Sequence, residues 1–121
     1  MGQSDVPGHA LAREWELTVA EYGESACVQA AGELDIATAP HVDAVLNELA
    51  APGQTVTLDL RALTFMDSSG INLLLKHVAR ARKHGVTLSI ITPPPGVARV
   101  LDVAGVARLL PLVEPPPLAR G

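Results

Sequence analysis

The sequence predicts an α/β domain with a mixed but mostly parallel sheet, and three observations carry that expectation. Short alternating apolar stretches (15–19, 55–60 and 86–91) are interleaved with helical stretches at the spacing of strand–helix–strand units, whose crossovers are right-handed. Only the turn Tyr22-Gly23-Glu24-Ser25 separates the first stretch from a second strand at Cys27 to Ala31, so an antiparallel hairpin is expected ahead of the parallel strands. The 48 % apolar share is almost wholly aliphatic, with Trp15, Tyr22 and Phe65 the only aromatics, which suits layers of helix on sheet. A chain of 121 residues is enough for one domain and too short for two.

Each element has its own signal. Residues 1–13 are rich in Gly, Pro and polar side chains and read as a tail before a domain spanning 14–114. Trp15, Leu17 and Val19 alternate with Glu16 and Thr18, and Cys27 to Ala31 is the hairpin partner. Val42, Val45, Leu46 and Leu49 form one helical stripe, with Thr38 and Pro40 at its start and Pro52-Gly53 beyond its end. Thr55 to Leu60 alternates again. Ile71, Leu74, Leu75 and Val78 make the stripe of a second helix that runs to about Lys83 and ends at Gly85. Val86 to Ile91 is a strand, and Val97, Val100, Leu101 and Ala104 mark a short third helix closed by Gly105. Leu109 to Val113 is a last strand, placed at an edge because Pro111 cannot donate to a ladder. The Pro-rich segment 115–121 reads as a second tail.

Composition narrows function. Scarce aromatics argue against stacking platforms for single-stranded nucleic acid, and a single cysteine excludes a disulfide framework and a Cys-rich zinc site. Cys27, in a strand pattern, is expected to be a small buried hydrophobe and a poor redox sensor. No apolar run reaches eighteen residues and the N-terminus shows no secretion signal, so the expected location is cytoplasmic, away from the membrane. The net charge of −4 hides an asymmetry: residues 1–60 carry ten acids against one base, and 61–121 three acids against eight bases. Between Ser68 and Leu101 there is no carboxylate, while Lys76, Arg80, Arg82, Lys83 and Arg99 all fall there. Those cations suit a solvated helix face near its negative end, or a surface that docks an acidic partner or a phosphate. Direct nucleic-acid binding is not expected from an acidic chain with no aromatics among its basic residues. His77 and His84 sit among Lys and Arg, a poor setting for a metal ion, and no nucleotide or cofactor signature occurs, so no cofactor is expected.

The informative segment is Phe65-Met66-Asp67-Ser68-Ser69-Gly70, a strand end that delivers two hydroxyls to a helix start. Asp67 or Ser68 is expected to cap the helix, because a side-chain oxygen there accepts a free N–H of the first turn. One cap suffices, which leaves Ser69 unaccounted for, in the first turn with its hydroxyl toward solvent. A phosphate at that point would meet free backbone N–H groups and the positive end of the helix dipole. The segment does not make a hydrolase elbow, since Ser69 lacks a Gly two residues before it and His77 lies over two turns along the same helix.

Gly32-Glu33-Leu34-Asp35 with Thr38-Ala39, Leu58-Asp59-Leu60, Phe65-Met66-Asp67-Ser68-Ser69-Gly70 and Val100 to Val106 together resemble the STAS domain of bacterial anti-sigma factor antagonists. The resemblance runs over about residues 14–114. It implies a STAS fold, a mixed sheet of four to five strands with helices mainly on one side, and no catalytic activity. It implies that an anti-sigma factor, itself a serine kinase, phosphorylates the serine before the Gly, here Ser69, and that a serine phosphatase resets it. The unphosphorylated form would capture the anti-sigma factor and release a sigma factor. Asp35, Asp67, Ser68, Ser69 and Gly70 would face the partner. The alternative within the same family is a scaffold, or a subunit of a signalling or lipid-transport complex, without a phosphate switch. A monomer or weak dimer is expected, the final strand leaving an open edge.

One further contact residue follows from the helix. With Ile71, Leu74, Leu75 and Val78 turned to the sheet, Leu73 is expected to point outward, toward Lys76 and Arg80, as the apolar centre of the partner surface.

Overall fold

Apolar alternation lays down the floor of the domain: Ala26, Val28 and Ala30 on one strand lie beside Val56, Leu58 and Leu60 on the next, all buried. In the computed structural model, which describes residues 14–114, the elements run β1 (Glu16–Tyr22), β2 (Ser25–Leu34), α1 (Ala39–Glu48), β3 (Thr55–Met66), α2 (Ser68–His84), β4 (Thr87–Ile91), α3 (Pro95–Val103), a short 3₁₀ turn (Ala107–Leu109) and β5 (Leu112–Val113). Both expected tails lie outside the described residues. The strands are ordered β1-β2-β3-β4-β5, antiparallel between β1 and β2 and parallel thereafter, so the mixed and mostly parallel sheet is as expected. Sequential order with right-handed crossovers brings all three helices to one face. There Val42 and Leu46 of α1, Leu73 and Leu74 of α2, and Val97 and Leu101 of α3 join the strand residues in one core. Each such side chain, fully buried, contributes about 1.5–3 kcal/mol of transfer free energy.

Strand β3 departs from the expectation in a way that matters for the site. It does not stop at Leu60 but continues through Met66, with one extra residue relative to β2 between Asp59 and Ala62 and another between Leu63 and Phe65. These bulges change the spacing of buried positions from two to three, so Leu58, Leu60, Leu63 and Met66 all reach the core. Gly32 lies at the second irregularity with φ of 109°, a conformation open to glycine, and a Cβ there would collide with the carbonyl oxygen of Glu14.

Three further expectations are corrected. Leu73 does not point to solvent: it is 6 % exposed and part of the core, because α2 packs on α1 as well as on the sheet. The buried positions of α2 are Gly70, Leu73, Leu74 and His77, with Ile71, Leu75 and Val78 only partly buried. Cys27 lies on the face of β2 away from the helices and is half-buried rather than buried. The final strand is only two residues long, preceded by the 3₁₀ turn.

On that same helix-free face Asp59 is buried beneath Arg61. The guanidinium donates to both carboxylate oxygens, at 3.0 Å from Nε and 2.8 Å from Nη2. The Arg61 hydrogen bond, against the cost of burial, holds the Asp59 carboxyl below the usual range. Burial, and then the Asp59 charge, push the Cys27 thiol up, which disfavours a reactive thiolate at that position.

Candidate functional site at the carboxyl end of the sheet

Parallel pairing sets the site. Leu34 and Met66 are partners at the ends of β2 and β3, so the loops that follow leave the sheet side by side. The Asp67 N–H donates to the Leu34 carbonyl at 3.3 Å, tying the two exits together. Asp35 and Asp67 therefore stand at one end of the sheet, as a shared surface requires.

Asp35 turns inward. Its Oδ1 accepts the N–H groups of Ala37 at 3.0 Å and Thr38 at 3.2 Å and the Thr38 hydroxyl at 3.3 Å, an Asx turn that launches α1. Thr38 closes the loop from the other side, its Oγ1 donating to the Glu33 carbonyl at 2.7 Å and accepting from the Asp35 N–H at 2.9 Å. Asp35 and Thr38 are both buried. The carboxylate thus shapes the loop, and the residue it raises to the surface is Ile36, 79 % exposed. Phe65, near the end of β3, is half exposed at the same end of the sheet.

Asp67, rather than Ser68, caps α2: its Oδ1 accepts the Ser69 N–H at 2.8 Å. The N–H groups of Gly70 and Ile71 both donate to the Asp67 carbonyl, at 3.0 and 3.2 Å. This corrects the expectation of a row of free donors waiting for a phosphate, since the amides of residues 69–71 are already engaged. Ser68 is exposed and Ser69 half-buried. No side-chain hydrogen bond engages the Ser69 hydroxyl among the described residues. Gly70 is buried where a Cβ would force Met66 or Leu34 to shift, since it would lie 2.6 Å from Met66 Cγ and 3.0 Å from Leu34 Cδ2. It lets the first turn of α2 sit against the ends of β2 and β3.

An open groove of about 320 Å³ joins the two loops, with Ser69, Asn72 and Lys76 along one wall, Ile36 and Pro40 along the other, and Leu73 within its lining. Leu73 belongs to this groove even though it is buried. Lys76 Nζ donates to Asp43 Oδ1 at 2.8 Å, and buried His77 contacts the same oxygen through Nε2 at 2.7 Å. These bonds lower the Asp43 carboxyl, with Lys76 first and His77 second. Ile36 and the Asp43–Lys76–His77 clasp are the parts that sequence reasoning missed. Ile36 had a visible signal, an apolar side chain in a turn directly after Asp35. The clasp had none, because its members are over thirty residues apart.

Among the described residues no group of His, Cys, Asp and Glu is placed to hold a metal ion, and no helix is long and apolar enough to cross a membrane.

The comparisons agree with the geometry. The family model described as "Mlab, STAS domain" matches residues 17–114. The anti-sigma F factor antagonist of Paenibacillus polymyxa is 30 % identical over 89 residues, covering 72 % of this chain and 76 % of that protein. An anti-sigma factor antagonist from Mycobacterium paratuberculosis superposes with a TM-score of 0.72 at 22 % identity, covering 85 % of this chain and 87 % of that one. The antagonist SpoIIAA, solved in its unphosphorylated form, superposes at 0.67 and 20 % identity, over 85 % and 89 % of the two chains. A matched family model over most of the chain, a relative at this identity, and the serine-bearing helix start beside an Asp-built loop together show that the chain belongs to the STAS family of anti-sigma factor antagonists.

Proposed function

We propose that this protein is a cytoplasmic anti-sigma factor antagonist whose unphosphorylated form binds an anti-sigma factor serine kinase, releasing a sigma factor, and that phosphorylation of Ser69 switches it off. A serine phosphatase restores the binding form. The protein works by binding rather than catalysis, with Ser68, Ser69, Gly70, Asp67, the Asp35 loop and the groove over Leu73 as the partner-facing surface.

The observation that carries this reading is the position of Ser69. Ser69 lines a groove at the first turn of α2, while the amides of residues 69–71 are already taken by Asp67. A phosphate there adds about −1.5 to −2 charges beside the Asp67 carboxylate and finds no ready row of donors within the domain. The charge is presented outward, to whatever docks on the groove. Desolvating an unpaired dianion in a docked interface costs at least several kcal/mol, whereas a hundredfold loss of affinity takes only about 2.8 kcal/mol. One phosphate is therefore enough. The fold itself is expected to keep its stability, because the dipole of α2 and the Asp67 charge act on the phosphate in opposite directions.

The test is to isolate the protein from its host in two growth conditions, with phosphatases inhibited, and to map phosphate by intact mass and peptide sequencing. A single phosphate on Ser69, absent in Ser69→Ala, is expected. Capture with the unmodified protein should retain an anti-sigma factor of the serine-kinase type, and Ser69→Asp should release it. No phosphate in either condition would overturn the switch and leave a STAS scaffold, or a subunit of a larger complex, that binds without being modified.

A further inference from the structure

At the opposite end of the sheet from Ser69, β4 is only partly covered. It has five residues, but β5 pairs with Ile90 and Ile91 alone, so Thr87, Leu88 and Ser89 have β3 on one side and no strand on the other. Backbone direction alternates along a parallel strand. The Thr87 N–H donates toward β3, to the Gln54 carbonyl, and the Ile90 N–H donates toward β5, to the Pro111 carbonyl, at 2.9 Å each. Leu88, two residues before Ile90, therefore directs its N–H and carbonyl to the side where no strand pairs.

That side opens into a cleft of about 380 Å³ between α2, the start of β4 and residues 108–111. Its lining is apolar at Val78, Ala81 and Leu109, the last 56 % exposed, with Arg82 on one wall and Arg108 on the other. Both arginines are exposed, and neither makes an ion pair or side-chain hydrogen bond among the described residues. Among the described residues no carboxylate lines the cleft. An unpaired strand edge, an apolar lining and two unpaired guanidinium groups occur together there.

We propose that this cleft docks an extended acidic segment of a partner protein, which adds as a strand beside Thr87–Ser89. Its main chain would pair with Leu88, its apolar side chains would cover Leu109 and Val78, and its carboxylates would reach Arg82 and Arg108. Strand addition draws affinity from main-chain hydrogen bonds and selectivity from alternate side chains. Here charge sets the selectivity, because an acidic strand is matched and a basic one is repelled. The surface is separate from the Ser69 groove and does not depend on the reading of that groove.

The probe is a short capped peptide alternating glutamate and valine, titrated to millimolar concentration into the isotopically labelled full chain and followed by amide NMR. Expected are shifts at Leu88, Arg82 and Arg108 and slowed exchange of the Leu88 amide, with no response to a lysine–valine peptide. The charge reversals Arg82→Glu and Arg108→Glu lie on exposed side chains, and each should weaken binding about tenfold while leaving the rest of the spectrum in place. No shift at millimolar peptide, or shifts indifferent to both reversals, would overturn the proposal. Sedimentation of the peptide-free protein tests the rival occupant, since β1 carries Glu16 and Glu21 on the other sheet edge. Concentration-dependent association lost in Arg108→Glu would reassign the edge to a second copy of the chain.

Discussion

The amide of Asp67 donates to the carbonyl of Leu34, and through that bond the cap of one helix is fastened to the loop that begins another. Leu34 precedes Asp35, whose Asx turn starts α1, and Asp67 holds the first turn of α2. Both loops therefore leave the sheet from one hydrogen-bonded junction, and Ser69 lies two residues beyond it.

The first prediction concerns the cap. Asp67→Ala removes the acceptor for the Ser69 N–H and should cost about 1 kcal/mol of stability, the usual size of a lost N-cap. Asp67→Asn keeps an acceptor of nearly equal capping strength and should stay within a few tenths of a kcal/mol of the parent. Urea titrations of the three proteins decide it, and equal losses for Ala and Asn would mean that charge, not the cap, matters.

Gly70 gives a second. A methyl group there meets Met66 and Leu34 in the core, and overpacking of this kind costs about 1–3 kcal/mol. The better helix propensity of Ala returns about 1 kcal/mol at most. Gly70→Ala should therefore be neutral to destabilising by about 2 kcal/mol, and Met66→Ala in the same chain should lessen its cost. Additive losses in the double variant would show that Met66 is not the obstacle.

Much of this architecture is written as periodicity, and the parts that were not legible break the period for physical reasons. The stripe of α1 was plain because Val42 and Leu46 of α1 and Leu49 at its C-cap are buried along one line. Strand β3 looked finished at Leu60 because its bulges shift the buried positions onto Leu63 and Met66. On α2, counting apolar residues selects Ile71, Leu74, Leu75 and Val78, whereas the buried line is Gly70, Leu73, Leu74 and His77. Gly70 is there for close approach and His77 because Asp43 meets it, and neither reason is visible in hydropathy. That Asp67 or Ser68 caps α2 and that Ser69 lies in its first turn were legible from local helix chemistry, but the choice of Asp67 over Ser68 was not. The inward turn of Asp35 was not, because its partners are set by the loop's conformation.

The corrected place of Leu73 makes a third prediction. A surface leucine could be truncated at almost no cost, but a core leucine left as a cavity costs about 2–5 kcal/mol. Leu73→Ala should fall in that range by urea titration of the isolated protein. A loss below about 0.5 kcal/mol would return Leu73 to the surface.

The last prediction is a pH dependence centred on His77. Its ring is 6 % exposed and lies 2.7 Å from Asp43 Oδ1, on which Lys76 Nζ also rests. Burial pushes the imidazole below its ordinary value of 6.5; Asp43 opposes this from α1, while Lys76 and Arg80 of α2 add to it. Among the described residues the strands contribute Val56 and Leu88, neither of them titratable, to the small cavity beside the ring. The neutral ring donates from Nε2 to the carboxylate and is the form the fold prefers. With the folded pKa depressed, the unfolded chain binds the proton first as pH falls, and stability drops wherever the unfolded state holds more protons. The contribution of His77 is thus complete well above pH 6.5 and is lost as pH falls from there through the folded pKa. Asp43, lowered from 3.8, adds a separate loss only at more acid pH. Urea midpoints measured between pH 7.5 and 5 should decline in the parent and decline less in His77→Gln, which cannot take up the proton. Parallel curves for the two proteins would show that His77 titrates alike in the folded and unfolded chains, and that its burial against Asp43 carries no pH dependence.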